Sequence, residues 1–436
     1  MDRIKVGLLG FGTIGTGVAR VFEQNSVLIS QRLGKQLELT KIADLDITTD
    51  RGIIPPEGAL TTDVEEVISN PEIDVVVELI GGYEPAKTFI LKAMANGKHI
   101  VTANKALMAV HGQEILEAAE KYGVDVMFEA AIGGGIPIVS AIKENLCANR
   151  FSSVLGILNG TCNFILTKMT NEGEDFAPVL KEAQELGYAE ADPTFDIEGV
   201  DTAHKIALLA ALCFGTRIDF DQVYTEGVTH VSALDIQFAR QMGYKIKLLA
   251  IGKNDGREIE VRVHPTMIPE AYQLAEVDGV FNAVRLSGDF LGPAMLYGSG
   301  AGMDATASAV MGDVISIARD MIVGGSCRTP IMGYCADQIV DLPIKPMSEI
   351  NSHYYLRVTT VDRPGVLAHI ASLLGKYNIS IQSMLQPERH EADAVPIVLM
   401  THEAREADII KALEEIDQLD IVQQPTRLLR VENDLG

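Results

Sequence analysis

Hydrophobic residues in the first third of the chain form short apolar runs that alternate with helical patterns. The predicted strands are Ile4–Leu9, Leu37–Ala43, Asp74–Ile80 and a run around Ile100 and Val101, and the predicted helices are Gly15–Gln24 and Pro85–Asn96. Strands that alternate with helices in this way are typical of a parallel sheet covered by helices. The pattern therefore predicts the α/β fold class.

The middle of the chain differs, because glycine-rich turns and long helical segments such as Asp201–Phe214 replace the alternation. The segment Gly292–Arg319 is expected to be a glycine loop followed by a long helix that packs back on the first domain. We therefore expect an α+β catalytic and dimerisation domain at 131–299. The first domain then comprises 1–130 and is completed by about 300–342.

The last part of the chain follows a stretch with two prolines and several polar residues, which predicts a linker at 343–353. Beyond it, 354–436 has the order β-α-β-β-α-β. The strands are Tyr354–Val361, Ile379–Met384, Val395–Met400 and a final one, and the helical stripes run from Val366 to Leu374 and from Ile409 to Leu419. This order predicts a ferredoxin-like domain.

Charge and composition exclude several classes of partner. The 436 residues carry a net charge of −24, which would repel nucleic acid and anionic membrane surfaces. The N-terminal residues lead directly into a glycine-rich strand and turn, which is not the pattern of a secretory signal peptide. No apolar run approaches the roughly 20 residues that span a bilayer. Five widely spread cysteines without a CxxC pair are expected to be reduced thiols. We expect a cytoplasmic protein with no nucleic-acid or membrane partner.

Three glycines, Gly10, Gly12 and Gly15, form GxGxxG between the first predicted strand and the first helix. Gly10 permits the tight turn, Gly12 lets backbone N–H groups approach a pyrophosphate, and Gly15 lets the helix pack on the sheet. In this setting the pattern predicts a Rossmann-type domain that binds NAD or NADP. A merely structural glycine turn is the alternative.

Further candidate ligand contacts follow the later strands. The Asp44 carboxylate would accept hydrogen bonds from a ribose 2′-hydroxyl, which favours NAD, although Lys41 or Arg51 would be able to neutralise a 2′-phosphate. A solvated loop aspartate remains the alternative there. Gly81 and Lys105 follow the third and fourth strands, where open α/β sheets bind ligands. Lys105 would contact a phosphate or orient the substrate, unless it points into solvent.

The stretch GYAEADPTFDIEGVDTAHK, residues 187–205, places five carboxylates ahead of one lysine on an otherwise apolar helix. Asp201 and Lys205 are four residues apart and share a helix face. Desolvation would lower the lysine pKa while the carboxylates raise it, and this balance can produce a proton donor for a nascent alkoxide. A surface ion pair is one alternative, and His204 as the acid or base is another.

Several motifs in one register resemble homoserine dehydrogenase over essentially residues 1–342: GFGTIG, VVELIGG, VTANKAL, EAAIGGGIPI, LNGTCNFIL, LGYAEADPTFDIEGVDTAHK and GSGAGMDATASAV. The resemblance implies hydride transfer between the nicotinamide of NAD or NADP and the terminal carbon of L-aspartate 4-semialdehyde or L-homoserine. This reaction belongs to threonine, methionine and isoleucine biosynthesis. Such chemistry needs no covalent intermediate, which agrees with a sequence that pairs no cysteine with a base.

The same resemblance assigns roles to individual residues. Lys205 matches the acid–base lysine, while Asp201, Glu190 and Gly187 match the substrate pocket. The implied cofactor contacts are Phe11, Thr13, Ile14, Lys105 and Gly302. The implied monovalent-cation site, usually for sodium, consists of Glu129 and the backbone carbonyls of Ile132, Gly134 and Ile136.

The segment DRPGVLAHIASLLGKYNISI makes the C-terminal part resemble an ACT domain. Asp362, Pro364 and Gly365 lie where a strand turns into a helix, and N–H groups there can bind an amino-acid carboxylate. The resemblance implies threonine as the effector and a homodimer or homotetramer, and a purely structural or dimerising module is the alternative. For the whole chain, another nicotinamide oxidoreductase of a small carbonyl and a non-catalytic amino-acid sensor remain open.

Overall fold

The computed structural model describes residues 3–326, 328–386 and 394–434. Its first unit is a parallel sheet of six strands in the order β3-β2-β1-β4-β5-β6. The strands are β1 (Arg3–Leu9), β2 (Gln36–Ala43), β3 (Leu60–Thr61), β4 (Val75–Glu78), β5 (His99–Thr102) and β6 (Val126–Met127). The flanking helices are α1 (Thr13–Leu33), α2 (Glu65–Ile68), α3 (Ala86–Ala95) and α4 (Lys105–Tyr122). The α/β fold class with a Rossmann-type sheet is confirmed.

Strand order reverses between β1 and β4, and doubly wound sheets bind their ligands at such a point. All four residues of β4 are buried, as expected for a strand covered on both faces. The helix at Met303–Ile322 packs against α1, and a Cβ at Gly17 would lie only 2.7 Å from Cγ of Met303. The absence of a side chain at Gly17 therefore brings the beginnings of these two helices side by side.

The second unit builds most of a long mixed sheet. Its strands are β7 (Phe151–Ile157), β8 (Tyr224–Thr225), β9 (Tyr244–Asn254), β10 (Ile259–Pro269), β11 (Phe281–Gly288) and β12 (Gly292–Ser299). Its helices are α5 (Ile138–Ser140), α6 (Gly160–Glu172), α7 (Phe176–Glu185), α8 (Thr194–Ile197), α9 (Val200–Phe214) and α10 (Ala233–Gln241). The next helix, α11 (Met303–Ile322), packs back on the first unit as expected, where Val310 and Val314 join the core around Val6. Helix α9 crosses the interior of this unit, and nearly every residue in it is buried.

The C-terminal unit continues the same sheet. It contains β13 (Asn351–Val361), α12 (Val366–Lys376), β14 (Ile381–Leu385), β15 (Ala394–Thr401), β16 (Ala404–Arg405), α13 (Glu406–Ile416) and β17 (Val422–Val431). Strand β17 pairs in parallel with β10, with Arg430 opposite Thr266 and Val431 opposite Met267. The strand order is therefore β12-β11-β7-β9-β10-β17-β13-β15-β14 across both units. One face of the C-terminal strands joins the hydrophobic core of the second unit.

Three details differ from the sequence predictions. Residues Gly292–Ser299 form an edge strand rather than a glycine loop, because they pair with β11 along their whole length. Strand β13 begins at Asn351, inside the expected linker, where it pairs with β16. The helix predicted to end at Gln24 continues to Leu33 and stops at Gly34 in the left-handed conformation. Cys147, Cys162, Cys213 and Cys335 are free thiols, and Cys327 lies outside the described residues.

Candidate active site

Helix α9 carries Asp201 and Lys205 in its first two turns. It begins after Gly199, whose φ of 80° suits glycine, and ends at Gly215 in the left-handed conformation. The Asp201 and Lys205 residues are only 3% and 7% exposed. The alternative of a surface ion pair is therefore wrong, and buried charges of this kind require compensating partners.

The partners of this pair come from two other parts of the chain, residues 158–159 and Lys105. The Nζ of Lys205 donates to Oδ2 of Asp201 and to the Leu158 carbonyl oxygen, both at 2.7 Å. The Nζ of Lys105 lies 2.6 Å from Oδ1 of Asp201. The Asn159 amide donates to Oδ2 of Asp201 at 3.0 Å. One carboxylate thus holds two ammonium groups, and we call this arrangement the lysine–aspartate cluster.

The cluster lies where the two units meet. Lys105 is the first residue of α4 and follows β5, so it stands at the carboxyl edge of the parallel sheet. Asn104 caps α4 by accepting the Leu107 N–H, and its amide donates to the Gly82 carbonyl at 2.7 Å. The alternative that Lys105 points into solvent is wrong, because its ammonium is held by Asp201.

Asn159 and Asp196 belong to the site but were not singled out from the sequence. The Asn159 side chain caps α6 by accepting the Cys162 N–H, while its amide group bridges Asp201 and Asp196. An asparagine directly before a predicted helix is a recognisable capping signal. The second task of that side chain depends on a contact across 42 residues, which local patterns do not contain.

The pKa values of the two lysines in the cluster shift in opposite directions. Burial lowers the pKa of the Lys205 ammonium, and Asp201 only partly restores it. Burial also acts on Lys105, but the attraction of Asp201 outweighs it and the Lys105 pKa is raised. Burial would raise the pKa of Asp201, yet Lys205 and Lys105 together hold it far below the ordinary value. Lys205 is therefore the member best prepared to exchange a proton.

His204 lies between two aromatic rings and does not hydrogen-bond to the lysine–aspartate cluster. Its ring stacks on Phe220, with centroids 4.2 Å apart, and on Phe195 at 5.5 Å. Burial lowers the His204 pKa to about 4, so the ring is neutral near pH 7. The stacking makes His204 part of the packing and gives no support to the alternative that it is the acid or base.

Glu190 and Gly187 lie in the exposed segment between α7 and α8. The left-handed Gly187, at φ 76°, ends the α7 turn. The Glu190 carboxylate is near enough to raise the pKa of Lys105. The segment is fastened to the site by the Thr161 hydroxyl, which donates to the Tyr188 carbonyl at 2.6 Å. Glu190 therefore stands at the open side of the lysine–aspartate cluster.

The glycine turn between β1 and α1 has the geometry that a dinucleotide requires. Gly10 has φ 98°, and a side chain at Gly15 would overlap the Gly10 carbonyl oxygen. Gly12 and Thr13 are exposed, and nothing lies within 4 Å of a Cβ built on Gly12. Ile14 is the second residue of α1 and is partly buried. The turn thus offers open space in front of the N-terminus of α1.

Asp44 is fixed at the end of β2. Its carboxylate accepts the backbone N–H groups of Phe11 and Asp46. Arg51 lies with its guanidinium 4.8 Å from the centroid of the Phe11 ring and 3.9 Å from the Asp44 carboxylate. Lys41 is engaged by Glu66 and the Gly58 carbonyl. The alternative that Asp44 is a solvated loop residue is wrong, and of the two candidate cations only Arg51 accompanies it.

A buried carboxylate supports the turn after β4. Glu78 accepts the N–H groups of Ile80 and Gly81 at 2.7 and 3.0 Å and the Thr102 hydroxyl at 2.6 Å. Gly81 is exposed, has φ 80°, and faces open space. Gly302, at φ 106° before α11, is likewise open. Exposed glycines thus line the crevice beside the lysine–aspartate cluster, and the residues present fit a nicotinamide dinucleotide.

The loop expected to hold a monovalent cation packs between the two units. Both oxygens of the Glu129 carboxylate accept backbone N–H groups, from Val139 at 2.7 Å and Ser140 at 2.8 Å. Gly134 lies tightly against the backbone of Gly300. The further loop carbonyls belong to Ile132 and Ile136, and the Ile136 carbonyl accepts the Ile138 N–H. In the described part of the chain no group of three or more His, Cys, Asp or Glu side chains is arranged to hold a metal.

Two cavities lie away from this site. One, of about 420 Å³, is lined by Asp362, Pro364 and Gly365 at the junction of β13 and α12. Gly365 has φ 91° and begins α12. A larger one, of about 970 Å³, lies between α1 and the amino end of β2. Because ligands of parallel sheets bind at the carboxyl edge, the larger cavity is not the active site.

Comparisons with known proteins agree with this geometry. The family model described as "Homoserine dehydrogenase" matches residues 137–315, the model described as "Homoserine dehydrogenase, NAD binding domain" matches 10–129, and the ACT domain model matches 354–420. Homoserine dehydrogenase of Neisseria gonorrhoeae is 48% identical over 99% of both chains. The crystal structure of a homoserine dehydrogenase from Thiobacillus denitrificans is 46% identical over 99% of both chains, with a TM-score of 0.93. A hyperthermophilic archaeal homoserine dehydrogenase in complex with NADPH is 25% identical over 72% of this chain and 97% of its own, with a TM-score of 0.62.

A dinucleotide-binding sheet with a buried lysine–aspartate cluster at its ligand edge defines a nicotinamide-dependent oxidoreductase. The identities above extend over the full length of the chain. The chain belongs to the homoserine dehydrogenase family, with an ACT domain at its C-terminus. Among the described residues, no helix combines the length and the apolar character needed to cross a membrane.

Proposed function

We propose that the chain reversibly interconverts L-aspartate 4-semialdehyde and L-homoserine, as a step of threonine, methionine and isoleucine biosynthesis, with Lys205 as the group that moves the proton. The observation that carries this proposal is the buried Lys205 amine, fixed by Asp201 and the Leu158 carbonyl at 2.7 Å each. A general acid or base must be aimed at one atom and have a tuned pKa, and Lys205 meets both conditions.

Lys205 and Asp201 are the residues that would act on the reacting oxygen of the substrate. The bound nicotinamide supplies or accepts the hydride. As an ammonium group, Lys205 donates a proton to the aldehyde oxygen during reduction, and as an amine it takes the hydroxyl proton of homoserine during oxidation. Asp201 stabilises the charged form of Lys205 and orients its Nζ. Because Leu158 and Asp201 occupy two donor positions of that Nζ, its third proton points to the substrate.

The substrate is held by the open side of the cluster. Asp201 and Glu190, with Gly187 forming the turn beside them, would bind the polar groups of the amino acid. The Lys105 ammonium would supply the positive charge that a substrate carboxylate or a cofactor phosphate requires. Its side chain is 34% exposed and is therefore accessible to such a ligand. The remaining proposed cofactor contacts are Gly10, Phe11, Gly12, Thr13, Ile14, Gly15, Asp44, Gly81 and Gly302.

Either NAD or NADP suits the ribose end of the crevice. Asp44 favours a 2′-hydroxyl, but its carboxylate is already occupied by two backbone N–H groups. Arg51, stacked on Phe11, supplies a guanidinium that is able to pair with a 2′-phosphate. Use of NADP is supported further by the archaeal relative, which was solved in complex with NADPH.

Two regulatory features complete the proposal. A sodium ion would bind the carbonyls of Ile132, Gly134 and Ile136 beside Glu129, since hard cations prefer oxygen ligands. Threonine would bind at Asp362, Pro364 and Gly365, where the cavity of about 420 Å³ faces the beginning of α12, and would inhibit the enzyme. A homodimer or homotetramer and a cytoplasmic location stay predictions from the sequence.

We also propose the division into domains at 1–130 completed by about 300–342, 131–299, the linker 343–353 and 354–436. The boundaries near 130 and 354 are supported by the ranges of the family models, and the completion by about 300–342 is supported by the packing of α11 on α1. The division is supported as well by the separate hydrophobic core of the C-terminal unit, which Tyr354, Leu356 and Ile370 help to form.

Initial rates of the purified chain test the proposal. We expect homoserine to be the best of a panel of small alcohols, measured with NAD and NADP in turn and with and without threonine. Replacing Arg51 with Ala should weaken NADP use more than NAD use. A preference for another alcohol would assign the chain a different substrate, and rates unchanged by threonine would remove the proposed effector while leaving the catalytic proposal intact.

A further inference from the structure

Arg430, near the end of β17, is a C-terminal residue that reaches deep into the catalytic unit. It is 3% exposed. Its Nη1 donates to Oε2 of Glu226 at 2.6 Å, and its Nη2 donates to the Tyr224 hydroxyl at 3.1 Å. On its other side it binds the carboxylate of Glu406 at the start of α13. The Arg430 guanidinium therefore ties a carboxylate of each domain together, and we call these four residues the interdomain cluster.

Glu226 belongs to a short segment, 225–228, that packs against the turn before the catalytic helix. The Val228 N–H donates to the Ile197 carbonyl at 2.8 Å. A Cβ on Gly227 would lie 2.6 Å from Cα of Glu198 and would overlap the Ile197 carbonyl oxygen. A Cβ on Gly199 would lie 3.2 Å from Cγ2 of Thr225. The two backbones are thus in direct contact, and no side chain fits between them.

The turn at 197–199 leads directly into the chemistry. Gly199 is the N-cap of α9, and Asp201 is the second residue of that helix. On the other side of the turn, Asp196 accepts the Asn159 amide that also binds Asp201. A displacement of this turn would therefore move the Asp201 carboxylate, and with it the Nζ of Lys205 that it orients.

We infer that Arg430 is a positioning residue of the active site: through Glu226 it holds segment 225–228 against the turn that starts the catalytic helix. The inference rests on the proposed roles of Asp201 and Lys205. It gives the ACT domain a physical connection to the proton-transferring group within one chain. The connection consists of an ion pair, a backbone hydrogen bond and a glycine contact.

The electrostatics of the connection favour a fixed geometry. Burial would raise the Glu226 pKa, but the contacts with His230 and Arg430 hold it far below its ordinary value. The Arg430 pKa is raised by Glu406 and Glu226 in spite of burial. Both partners stay charged over the working pH range, so the pair restrains segment 225–228 continuously.

A second interdomain ion pair provides a matched control. Arg357 on β13 is also buried, and it binds Asp235 of α10 through Nε at 2.6 Å and Nη2 at 3.0 Å. Asp235 forms the capping box of α10 with Ser232, and its carboxylate otherwise accepts hydrogen bonds from Tyr355 and Arg357 rather than from the 197–199 turn. Loss of the Arg357 pair should loosen domain docking to a similar degree without reaching the catalytic helix.

The experiment compares Arg430→Gln, Glu226→Gln and Arg357→Gln in the full-length chain, with Arg430→Lys as the conservative variant. We expect Arg430→Gln and Glu226→Gln to lower kcat/KM for homoserine about five-fold or more, with the loss in kcat and the KM for the dinucleotide unchanged. The double variant should be no worse than the poorer single variant, because both remove one connection. Arg430→Lys should recover part of the loss, and Arg357→Gln should retain kcat.

Hydrogen–deuterium exchange gives a readout that does not depend on activity. Amides of residues 197–205 should exchange faster in Arg430→Gln than in the unmodified chain or in Arg357→Gln. Equal effects of Arg430→Gln and Arg357→Gln on kcat and on this exchange would overturn the inference, because they would reflect domain docking alone. An unmodified chain that does not oxidise homoserine would instead contradict the proposed function, and exchange at 197–205 would still decide the positioning role. If Arg430→Gln does not fold, Glu226→Gln decides by the same criteria.

Discussion

The lysine–aspartate cluster and the interdomain cluster are both built from buried charges, yet they differ in which charges can change. In the first, Lys205 and Lys105 share the single carboxylate of Asp201. In the second, the guanidinium of Arg430 is shared by the carboxylates of Glu226 and Glu406. An ammonium group loses its proton when desolvation outweighs its partners, whereas a guanidinium in a protein does not.

The two clusters show how one fold places a group that can exchange a proton apart from a charge that only holds the structure. At Lys205 burial prevails and lowers the pKa, which makes the group exchangeable. At Arg430 the carboxylates prevail, so the charge is permanent and the geometry is fixed. Buried charge is costly in both places. We therefore expect substitutions in the first cluster to affect activity far more than stability, and substitutions in the second cluster to lower stability strongly with a smaller loss of activity.

The largest expected effect is the loss of the exchangeable proton. Lys205→Met should reduce kcat for homoserine oxidation about 10²- to 10⁴-fold, because general acid–base catalysis is removed. The free energy of unfolding should change little, since Asp201 keeps Lys105 and Asn159 as partners. Steady-state kinetics, dinucleotide titration and thermal unfolding check this. A variant with nearly normal kcat would mean that another group moves the proton.

Arg430→Gln should show the reverse order of effects. Removing the guanidinium takes the arginine from the buried Glu406 carboxylate, whereas Glu226 is partly exposed and keeps Tyr224 and His230 as partners. Breaking a buried ion pair of this kind costs about 3–5 kcal/mol of folding free energy. The measurement is denaturant unfolding of the full-length chain at pH 7, compared with Lys205→Met. If Arg430→Gln were the more stable of the two variants, the distinction between the clusters would fail.

The pH dependence of turnover tests whether the charge of Lys205 can change, as the contrast between the two clusters requires. In the proposed mechanism homoserine oxidation needs the neutral amine of Lys205, so kcat should rise with pH through the Lys205 pKa, which burial lowers below the ordinary 10.5. Aldehyde reduction needs the ammonium group, so its kcat should fall through the same pKa. Rate profiles in both directions give this value. Lys205→Arg should lack both limbs because its guanidinium does not titrate.

Asn159→Asp is expected to have the smallest effect. The new carboxylate can still cap α6, but it adds a negative charge beside Asp196 and Asp201. The Lys205 pKa should then rise, moving the oxidation profile upward by about one pH unit. Asn159→Ala is the control, which should lose about 1 kcal/mol of capping energy without an upward shift. A downward shift with Asp would show that Asn159 does not face the lysine.

The features that local patterns encode were predicted well. The strands around β1, β2 and β4 and the GxGxxG turn follow from apolar runs and glycine spacing, and α9 differs from its predicted bounds by one residue at its start. The helix pattern also places Asp201 and Lys205 on one face, because that requires only a spacing of four.

The remaining parts of the site depend on contacts between distant residues. Lys105 and Asp201 are 96 positions apart in the sequence (201 − 105), and a local hydrophobic pattern cannot predict a contact over that separation. Edge strand β12 was expected as a loop because its sequence contains glycines at 292 and 298, although its pairing with β11 compensates for them. The pairing of β10 with β17 involves only two residue pairs and joins two domains, which explains why the sequence indicates two separate sheets.

The pairing of β10 with β17 determines when the long sheet can finish folding during synthesis. β17 is the last strand to be synthesised, yet it lies between β10 and β13 in the interior of the long sheet. A nascent chain that has not reached Val422 leaves Thr266 and Met267 of β10 without their strand partners and lacks the guanidinium that pairs with Glu226. The catalytic unit would therefore finish folding only after the ACT domain has emerged, so that fragments lacking β17 are disfavoured by their own unpaired strand.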